Sequence, residues 1–490
     1  MDKSGIKQPI NKRNITQIFV SLLLIASPWI ILFITTRLLF HQSVFNSVPC
    51  WSDELSYWHE VLSFSQKGFN FGYYTMNEAL PHFLSFGSHG FGTVSMYALF
   101  GKVFGWKAYS LVIANAFFLS LAFIVFSFLV RTSTRNLLSI LFFTLTFTPL
   151  ILFSSTSMSE LLNYSLLIIY VGILYRYFRN EGSKWLIPFL VFCTILSFVR
   201  IIYVILLLPV LFKRKSEFKI DSRFLISVFI WIAFSGLLFV LNNLFVSPYP
   251  GSFLNDLFKS NGLVDFITNF TIHFAQNSWN FINPVSENII QVLQRYFVIL
   301  ACLYALLKSN LVQTKHKKLE IEYFIVFLIL FLFLLITIAA YDVFDWRDYR
   351  VLAPVLYGST LYLVLIQKDK IVYSLIGMNI LGIVFLIISP QVLESFNKGR
   401  YDKPMKNSLL NNIEYTVHAK SKFENTIVVN QFDTNTVLNF PAGIGISFSE
   451  ILSDSLKSNY IFSKDNLKLT TYKLIDSDTS GYLYRKISDN

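Results

Sequence analysis

The sequence predicts an all-α polytopic membrane protein with about eleven transmembrane helices and a small C-terminal α/β domain outside the membrane. Of the 490 residues, 54% are hydrophobic and only 14% are charged, whereas a soluble domain has about 25% charged residues. The chain also contains repeated apolar runs close to the ~20 residues that a helix needs to cross the hydrocarbon core. A water-soluble fold would leave too much apolar surface exposed, so lipid is the expected solvent.

Eleven apolar segments are candidates for these helices. They cover residues 17–40, 108–130, 137–153, 161–178, 185–199, 201–212, 224–246, 288–307, 323–341, 351–367 and 371–389. The fifth and sixth are short and are separated by Arg200, so they form either a tight hairpin or one long tilted helix. The first segment follows a basic start, as a signal peptide does, but it lacks a clear small-x-small cleavage site. We therefore interpret it as an anchor.

The positions of basic residues predict the orientation of the chain. Lys3, Lys7, Lys12 and Arg13 precede the first segment, and cytoplasmic flanks are enriched in such residues, so the N-terminus is expected in the cytoplasm. Alternation assigns the basic connections near residues 131–135, 176–184, 213–223, 308–318 and 368–370 to the same side. The net charge of +12 mostly reflects this topology, and no nucleic-acid partner is expected.

The domain organisation follows from the odd number of segments. Residues 1–390 are expected to form the transmembrane domain, with an exterior loop at 41–107, and residues 391–490 an extracytoplasmic α/β domain. This last part is rich in Asn, Ser, Asp and Lys and contains short β-rich runs at 426–429, 444–448 and 469–474. A partly ordered tail is the alternative. We expect a multi-pass protein of the plasma (inner) membrane, in contact with membrane lipids.

The exterior loop 41–107 holds the first candidate site. Asp53 and Glu54 follow the first apolar segment, with Tyr57 one turn further along. If a helix begins there, Ser52 is a natural N-cap and both carboxylates lie in the first turn, where the helix dipole stabilises them. A catalytic carboxylate pair is the other interpretation, and the residues alone leave both open. The loop also contains His89 in a glycine-rich stretch.

Arginines form the second concentration of charge. Arg347 and Arg350 lie between the ninth and tenth segments, on the side where basic residues are not expected. Snorkelling anchors account for basic residues at helix ends, but guanidinium groups also bind phosphate oxygens in a bidentate manner, and we favour a lipid-phosphate site. Arg200 has apolar neighbours and must face protein, water or a head group. Glu160 follows a polar turn and is explained by capping alone.

Metal and disulfide sites are not indicated. Cys50, Cys193 and Cys302 are widely separated, which suits neither a disulfide framework nor a metal cluster. We expect no cofactor, although the acidic loops leave a divalent cation as an open alternative.

The order of these features resembles the GT-C class of membrane glycosyltransferases, which includes protein O-mannosyltransferases and lipid A aminoarabinose transferases. The matching features, in chain order, are Asp53–Glu54, the stretch Gly87–Gly92, Met158–Glu160, Arg200, Arg347–Pro354 and the polar C-terminal part. Two departures are evident. A His-Pro-Pro or Lys-Pro-Pro pattern before the second span is absent, which leaves the role of His89 open, and Asp348 stands between Arg347 and the following tyrosine.

The resemblance implies a reaction. Enzymes of this class move a sugar from a polyprenyl-phosphate carrier to an extracytoplasmic acceptor, here expected to be a surface glycan or a lipid. By resemblance, Asp53 is the candidate base, and Glu54 supports it or positions the acceptor. Arg347 and Arg350 are candidates for binding the donor phosphate, with Arg200 as a third. Substrate contacts are also expected from Tyr57 and His89.

Three other classes compete with this interpretation. A transporter or flippase of lipid-linked saccharides also needs arginines on this side, but it is expected to have polar or charged residues within its spans. A polysaccharide polymerase or ligase shares the donor but normally has its main charged loop later in the chain. An acyl- or phosphotransferase would have a His-centred site, for which His59, His82 and His89 are the candidates.

The predicted topology is testable by cysteine labelling in a variant whose three native cysteines are replaced by serine. A cysteine at Ser421 should react with a membrane-impermeant reagent in intact cells, while one at Thr314 should not, because the charge asymmetry places these residues on opposite sides. The reverse labelling pattern would place every candidate residue on the cytoplasmic side and contradict the interpretation.

Overall fold

The computed structural model describes residues 15–68, 72–79, 86–87, 90–179, 184–212, 222–247, 260, 262–282, 289–310, 317–340, 349–366, 370–389, 391, 394 and 397–487. His89 and Arg347 lie outside these ranges, so their roles stay predictions.

The described chain is mostly helical. Its helices are α1 (Ile15–Phe33), α2 (Ser52–Lys67), α3 (Phe91–Phe104), α4 (Ser110–Leu129), α5 (Thr134–Thr146), α6 (Thr148–Ser154), α7 (Glu160–Arg179), α8 (Leu186–Val199), α9 (Pro209–Phe212), α10 (Ser222–Phe245), α11 (Leu263–Ile282), α12 (Ile289–Asn310), α13 (Lys317–Ala340), α14 (Tyr349–Ile366), α15 (Lys370–Ile388) and the short α16 (Thr434–Val437).

Helices with the length and composition of membrane spans are present, as predicted. Within the described ranges, five helices are long and apolar enough to cross a membrane: Ile15–Leu39, Ser110–Leu129, Glu160–Arg179, Phe224–Phe245 and Ile321–Ala340. The number becomes six if α5 and α6, which meet at a bend of 54°, form one broken span. Shorter apolar helices occupy several other predicted segments. The mostly helical membrane architecture is thus confirmed, while the number eleven stays a prediction.

Helix α7 lies at the centre of the bundle. Of the residues in its apolar stretch, 83% are buried inside the protein, against 6% for α10. It packs against α4 and α14, and Gly172 allows a close approach, since a β-carbon there would lie 2.9 Å from a methyl carbon of Leu129. The first residue of this central helix is Glu160, which fixes where that carboxylate lies.

The two short segments around Arg200 form a hairpin. Helix α8 ends at Val199, Arg200 is extended (φ −152°, ψ 115°), and a 3-10 helix, Ile201–Leu207, leads into α9. The returning arm packs on α8, with the Cys193 thiol 3.6 Å from the carbonyl oxygen of Leu206. Each arm is too short to span a ~30 Å hydrocarbon core at 1.5–2.0 Å per residue. Arg200 joins the two arms and lies at the tip of the hairpin.

A further helix, α11, lies between the seventh and eighth predicted segments, where no helix is predicted from the sequence. One face of α11 packs on α13, and Asn277 donates a hydrogen bond of 2.9 Å to the carbonyl oxygen of Ile338. Leu263, Val264 and Trp279 point outward and are exposed. Apolar and polar residues on separate faces are typical of an interfacial helix rather than a span.

The C-terminal part of the described chain supplies five strands of a small mixed sheet, and the loop 41–107 supplies a sixth. The strands are β1 (Tyr74–Met76), β2 (Thr426–Val429), β3 (Gly445–Phe448), β4 (Tyr460–Ser463), β5 (Tyr472–Asp478) and β6 (Gly481–Lys486). The strand order is β1-β3-β2-β4-β6-β5, and the first four of these run parallel. The remaining pairings are antiparallel. We call this unit the sheet domain.

Strand β1 ties the loop 41–107 to the sheet domain. It comes from that loop and pairs in parallel with β3, with Tyr74 opposite Ile446. Glu78, two residues after β1, accepts hydrogen bonds from the backbone N–H groups of Lys457 and Ser458 at 2.7–3.0 Å. The loop that carries the candidate carboxylates is therefore an integral part of the sheet domain.

Candidate active site

Four charged side chains from distant parts of the sequence meet at the end of the bundle that faces the sheet domain. Arg350 Nη2 donates to Asp53 Oδ2 at 2.7 Å, and Arg350 Nε lies 3.6 Å from Glu160 Oε1. Arg200 Nη2 lies 3.6 Å from the same Glu160 oxygen. Two arginines and two carboxylates thus alternate in one continuous chain of ion pairs.

One of these four side chains is buried and three are partly exposed, so the exposed three line an opening. Glu160 is 1% exposed, whereas the side chains of Asp53, Arg200 and Arg350 are 32%, 22% and 20% exposed. The buried carboxylate lies beneath the others and compensates the positive charge of both arginines. Asp53 and the two guanidinium groups form the accessible face, which has one potential base and two potential phosphate ligands.

Helix ends and breaks position each of these residues. Asp53 lies in the first turn of α2, Arg350 at the start of α14, Arg200 at the hairpin tip and Glu160 at the first residue of α7. Charged groups at helix ends leave the apolar middles of the spans free of charge, which a lipid environment favours.

A buried polar turn, residues 154–159, leads into α7. Every residue of it is buried. Asn115 of α4 donates a 2.8 Å hydrogen bond to the carbonyl oxygen of Met158, and Tyr97 of α3 donates in turn to Asn115. The Ser154 hydroxyl is 3.1 Å from that of Thr35. These contacts hold the turn in place and with it the orientation of Glu160.

Glu54 points away from the opening, although it is adjacent to Asp53. Its carboxylate is fully buried and pairs with Arg400 Nη1 at 2.8 and 3.0 Å. It also accepts backbone hydrogen bonds from Cys50, Trp51 and Ser157 at 2.8, 3.2 and 2.9 Å. Trp51, rather than Ser52, is the N-cap residue of α2. Glu54 therefore fastens the start of this helix.

Tyr57 lies one turn after Asp53, on the side of α2 that faces Glu160. It is 3% exposed and hydrogen bonds to Ser159 of the polar turn. Burial, followed by the negative charges of Asp53 and Glu160, raises the pKa of its phenol well above the ordinary value. Tyr57 is thus a neutral hydroxyl at the floor of the site.

The second and third turns of α2 are fixed to the sheet domain by buried polar groups. His59 Nε2 donates to the carbonyl oxygen of Ile444 at 2.7 Å, and burial lowers the pKa of the imidazole to about 4. Glu60 accepts a 3.0 Å hydrogen bond from the backbone N–H of Tyr74. Ser63 accepts one of 2.9 Å from the N–H of Gly443. The histidine is uncharged and occupied in a structural contact.

The structure brings together four of the residues predicted from sequence: Asp53, Tyr57, Arg200 and Arg350. It adds two that the sequence analysis did not assign to the site. From the residues alone, capping explains Glu160, and only the family resemblance includes it, through Met158–Glu160. The run of polar residues 154–159 before it is the further signal in the sequence. Arg400 was not considered, because it lies in a polar stretch where an arginine has no distinguishing neighbours.

Among the residues that the structure describes, no group of three or more His, Cys, Asp or Glu side chains is placed to hold a metal ion. The charges of the cluster are matched by arginines instead.

The buried carboxyl of Glu60 should make the stability of the folded protein depend on pH. Burial raises the pKa of its carboxyl to about 8, only partly offset by hydrogen bonds from Tyr74 and Gly87, against 4.5 for the free group. The pKa of Glu60 is higher in the folded state than in the unfolded state. Its contribution to the free energy of unfolding is therefore complete below pH about 4.5 and is lost as the pH rises through about 8. Glu60→Gln should remove this loss, so at pH 9 the variant should unfold several degrees above wild type.

Thermal unfolding of the purified protein from pH 5 to 9 measures this effect. Glu414→Gln is the control, since the Glu414 side chain is 72% exposed and its replacement should leave the wild-type profile unchanged. Parallel profiles of wild type and Glu60→Gln would show that Glu60 does not bind its proton more tightly in the folded state.

Comparison with known proteins gives structural similarities at low sequence identity. No protein-family model and no curated protein sequence matches the chain. The archaeal oligosaccharyltransferase AglB from Archaeoglobus fulgidus, solved with an inhibitory peptide and a dolichol-phosphate, is 12% identical with a TM-score of 0.48 over 92% of this chain and 70% of its own. ArnT from Cupriavidus metallidurans, bound to undecaprenyl phosphate, is 11% identical with a TM-score of 0.37 over 96% and 98%. These values are too low for the similarity to establish a function.

Proposed function

We propose that this chain is an integral membrane glycosyltransferase that moves a sugar from a polyprenyl-phosphate carrier to an extracytoplasmic acceptor, a surface glycan or a lipid. The observation that carries the proposal is the partly open pair of Asp53 and Arg350, next to Arg200 and above the buried Glu160. It combines a carboxylate that can accept a proton with guanidinium groups that can hold a phosphate. Both lie at the end of an apolar helix bundle, where a lipid-linked donor has its head group.

The proposed reaction divides between these groups. An acceptor hydroxyl attacks the anomeric carbon while Asp53 accepts its proton, which a poor nucleophile requires. The bond between the anomeric carbon and the phosphate oxygen breaks, and its electron pair leaves with the lipid phosphate. Arg350 and Arg200 stabilise the negative charge that develops there, since preorganised cations are most effective where charge appears in the transition state. Arg347 is proposed as a third phosphate ligand.

Glu160 keeps the arginines in place for this step. Two guanidinium groups on one side of a site repel each other and would turn toward water. The carboxylate between them, 3.6 Å from each, offsets this repulsion at a depth where solvent screens little. The phosphate then meets a fixed pair of donors rather than two mobile side chains.

The positions of charge in the described helices favour a transferase over a transporter. A transporter of lipid-linked saccharides is expected to have charged groups near the middle of its spans. Here Glu160 begins α7, Arg200 follows α8, and Glu322 lies near the start of α13, where it pairs with Arg179 at the end of α7. Arg295, which is buried within α12, is an exception. The other charges named here lie at two ends, one of which is the proposed site.

The proposed activity is testable with membranes that contain the protein and a panel of radiolabelled polyprenyl-phosphate sugars. Wild type should transfer label from at least one donor, and Asp53→Asn should reduce the rate about 10²–10⁴-fold, the usual loss when a general base is removed. The variant should fold, because a partly exposed ion pair contributes only about 0.2–1 kcal/mol, and should still bind the donor through its arginines.

Asp433→Asn is the matched control for Asp53→Asn. Asp433 is 35% exposed and pairs with Lys464 at 3.0 Å, so it resembles Asp53 in exposure and pairing but lies in the sheet domain. Its replacement should leave transfer unchanged. Folded Asp53→Asn protein with transfer within a factor of a few of wild type would show that Asp53 is only a first-turn partner of the helix dipole.

The arginines should affect the donor rather than the proton transfer. Arg350→Ala should raise the KM for the donor about 10- to 100-fold, because a charge-assisted hydrogen bond contributes about 1.5–3 kcal/mol. Arg350→Lys should recover only part of this loss, since lysine lacks the guanidinium fork. Arg347→Ala should act in the same direction, and steady-state kinetics with varied donor measures all three. Wild-type KM in both alanine variants would make these residues interfacial anchors.

A further inference from the structure

The most deeply buried ion pair of the described chain joins the start of α2 to the segment that follows the last helix of the bundle. The side chains of Glu54 and Arg400 are both 0% exposed. Arg400 lies in a turn after α15, in which its backbone N–H donates to the carbonyl oxygen of Asn397 at 2.9 Å. Burying two charges is costly unless their contacts are nearly complete, so such a pair calls for an explanation.

The contacts around this pair join three separate segments. Glu54 accepts hydrogen bonds from Cys50 and Trp51 before α2, from Ser157 in the polar turn, and from Arg400. The guanidinium of Arg400 also lies 5.4 Å from the ring centre of Trp51. Its carbonyl oxygen accepts a 2.8 Å hydrogen bond from the N–H of Val48 in the loop. Residues 48–54, 157 and 400 are thus one connected network.

This network fixes the rotation of α2 about its axis. Successive residues of an α-helix are 100° apart, so the direction of the buried Glu54 side chain determines the direction of Asp53. A carboxylate lies about 6 Å from the helix axis, and a rotation of about 20° would therefore move it about 2 Å. Displacements of about 1 Å at a reacting group can reduce a rate about 10²-fold. A small loss of restraint at Glu54 is therefore expected to displace the Asp53 carboxylate enough to lower the rate.

We propose that Arg400 is a positioning residue, which holds Asp53 at its place in the site through Glu54. The proposal rests on the function proposed above and assigns the C-terminal segment a part in it, although Arg400 itself contacts no reacting group. It also gives Glu54 a role other than contact with the acceptor, because a fully buried carboxylate with four donors has no face left for a substrate.

The test uses the full-length protein and replaces the pair in two ways. Arg400→Lys keeps a positive charge but loses the planar guanidinium that lies over Trp51. The double variant Glu54→Gln with Arg400→Met removes both charges, so no unpaired ion is left in the interior and folding is preserved. Arg485→Met is the control, since Arg485 is an arginine of the sheet domain whose ion pair with Glu414 is 52% and 72% exposed.

The readouts are kcat per folded molecule and the KM for the donor. Size-exclusion chromatography and thermal unfolding give the folded fraction. The double variant should show kcat about 10- to 100-fold below wild type at an unchanged donor KM. The kcat of Arg400→Lys should lie between those of wild type and the double variant. Arg485→Met should equal wild type. A purely structural role would instead lower the yield or the unfolding temperature, with wild-type kcat in the molecules that fold.

The outcomes separate this proposal from the one on which it rests. If wild type transfers sugar and folded double variant has wild-type kcat, the positioning role is wrong and the proposed function stands. If kcat and donor KM change together, the pair supports the whole site rather than Asp53, which also overturns the proposal. If wild type transfers sugar from no donor of the panel, both proposals fail.

Discussion

Charge cannot be left unpaired where water is excluded, and this constraint governs the face of the bundle that meets the sheet domain. Glu160 and Glu54 are both buried, and each is matched by arginine from a distant part of the chain. The two carboxylates differ in how completely hydrogen-bond donors surround them. Glu54 has donors on all sides, while Glu160 supports two arginines that remain partly open to the surroundings. One buried carboxylate thus holds the start of α2 in place, and the other supports the two arginines of the proposed site.

Interruptions of regular helix structure bring these charges together. The bend between α5 and α6 leads into the buried polar turn before α7, and the extended residue at the hairpin tip places Arg200 beside Glu160. An uninterrupted span would place its polar ends only at the membrane surface. The broken ones place polar backbone within the protein, where Asn115 and the serines of the turn satisfy it. The positions of the site residues therefore depend on the ends and breaks of the helices as much as on the packing of the helices.

Much of this arrangement follows from the sequence, for identifiable reasons. Long apolar runs and the distribution of lysine and arginine predict the helices and a shared side for Asp53 and Arg350, which are 297 residues apart and in direct contact. Helix α11 escaped prediction because polar residues interrupt its apolar face. Strand β1, three residues long, is too short for an alternating pattern. The opposite directions of Asp53 and Glu54 depend on Arg400, 346 residues from Glu54, and no local signal encodes that contact.

The pairing of β1 with β3 has a consequence for biosynthesis. The ribosome makes the loop that carries Asp53 soon after the first apolar helix, but the strand that β1 joins is made only after all the bundle helices. Contacts between residues so far apart in sequence form late in folding. Asp53 therefore reaches its final surroundings only when synthesis of the chain is nearly complete. A nascent or truncated chain that lacks β3 would therefore have its early helices but not the complete surroundings of Asp53.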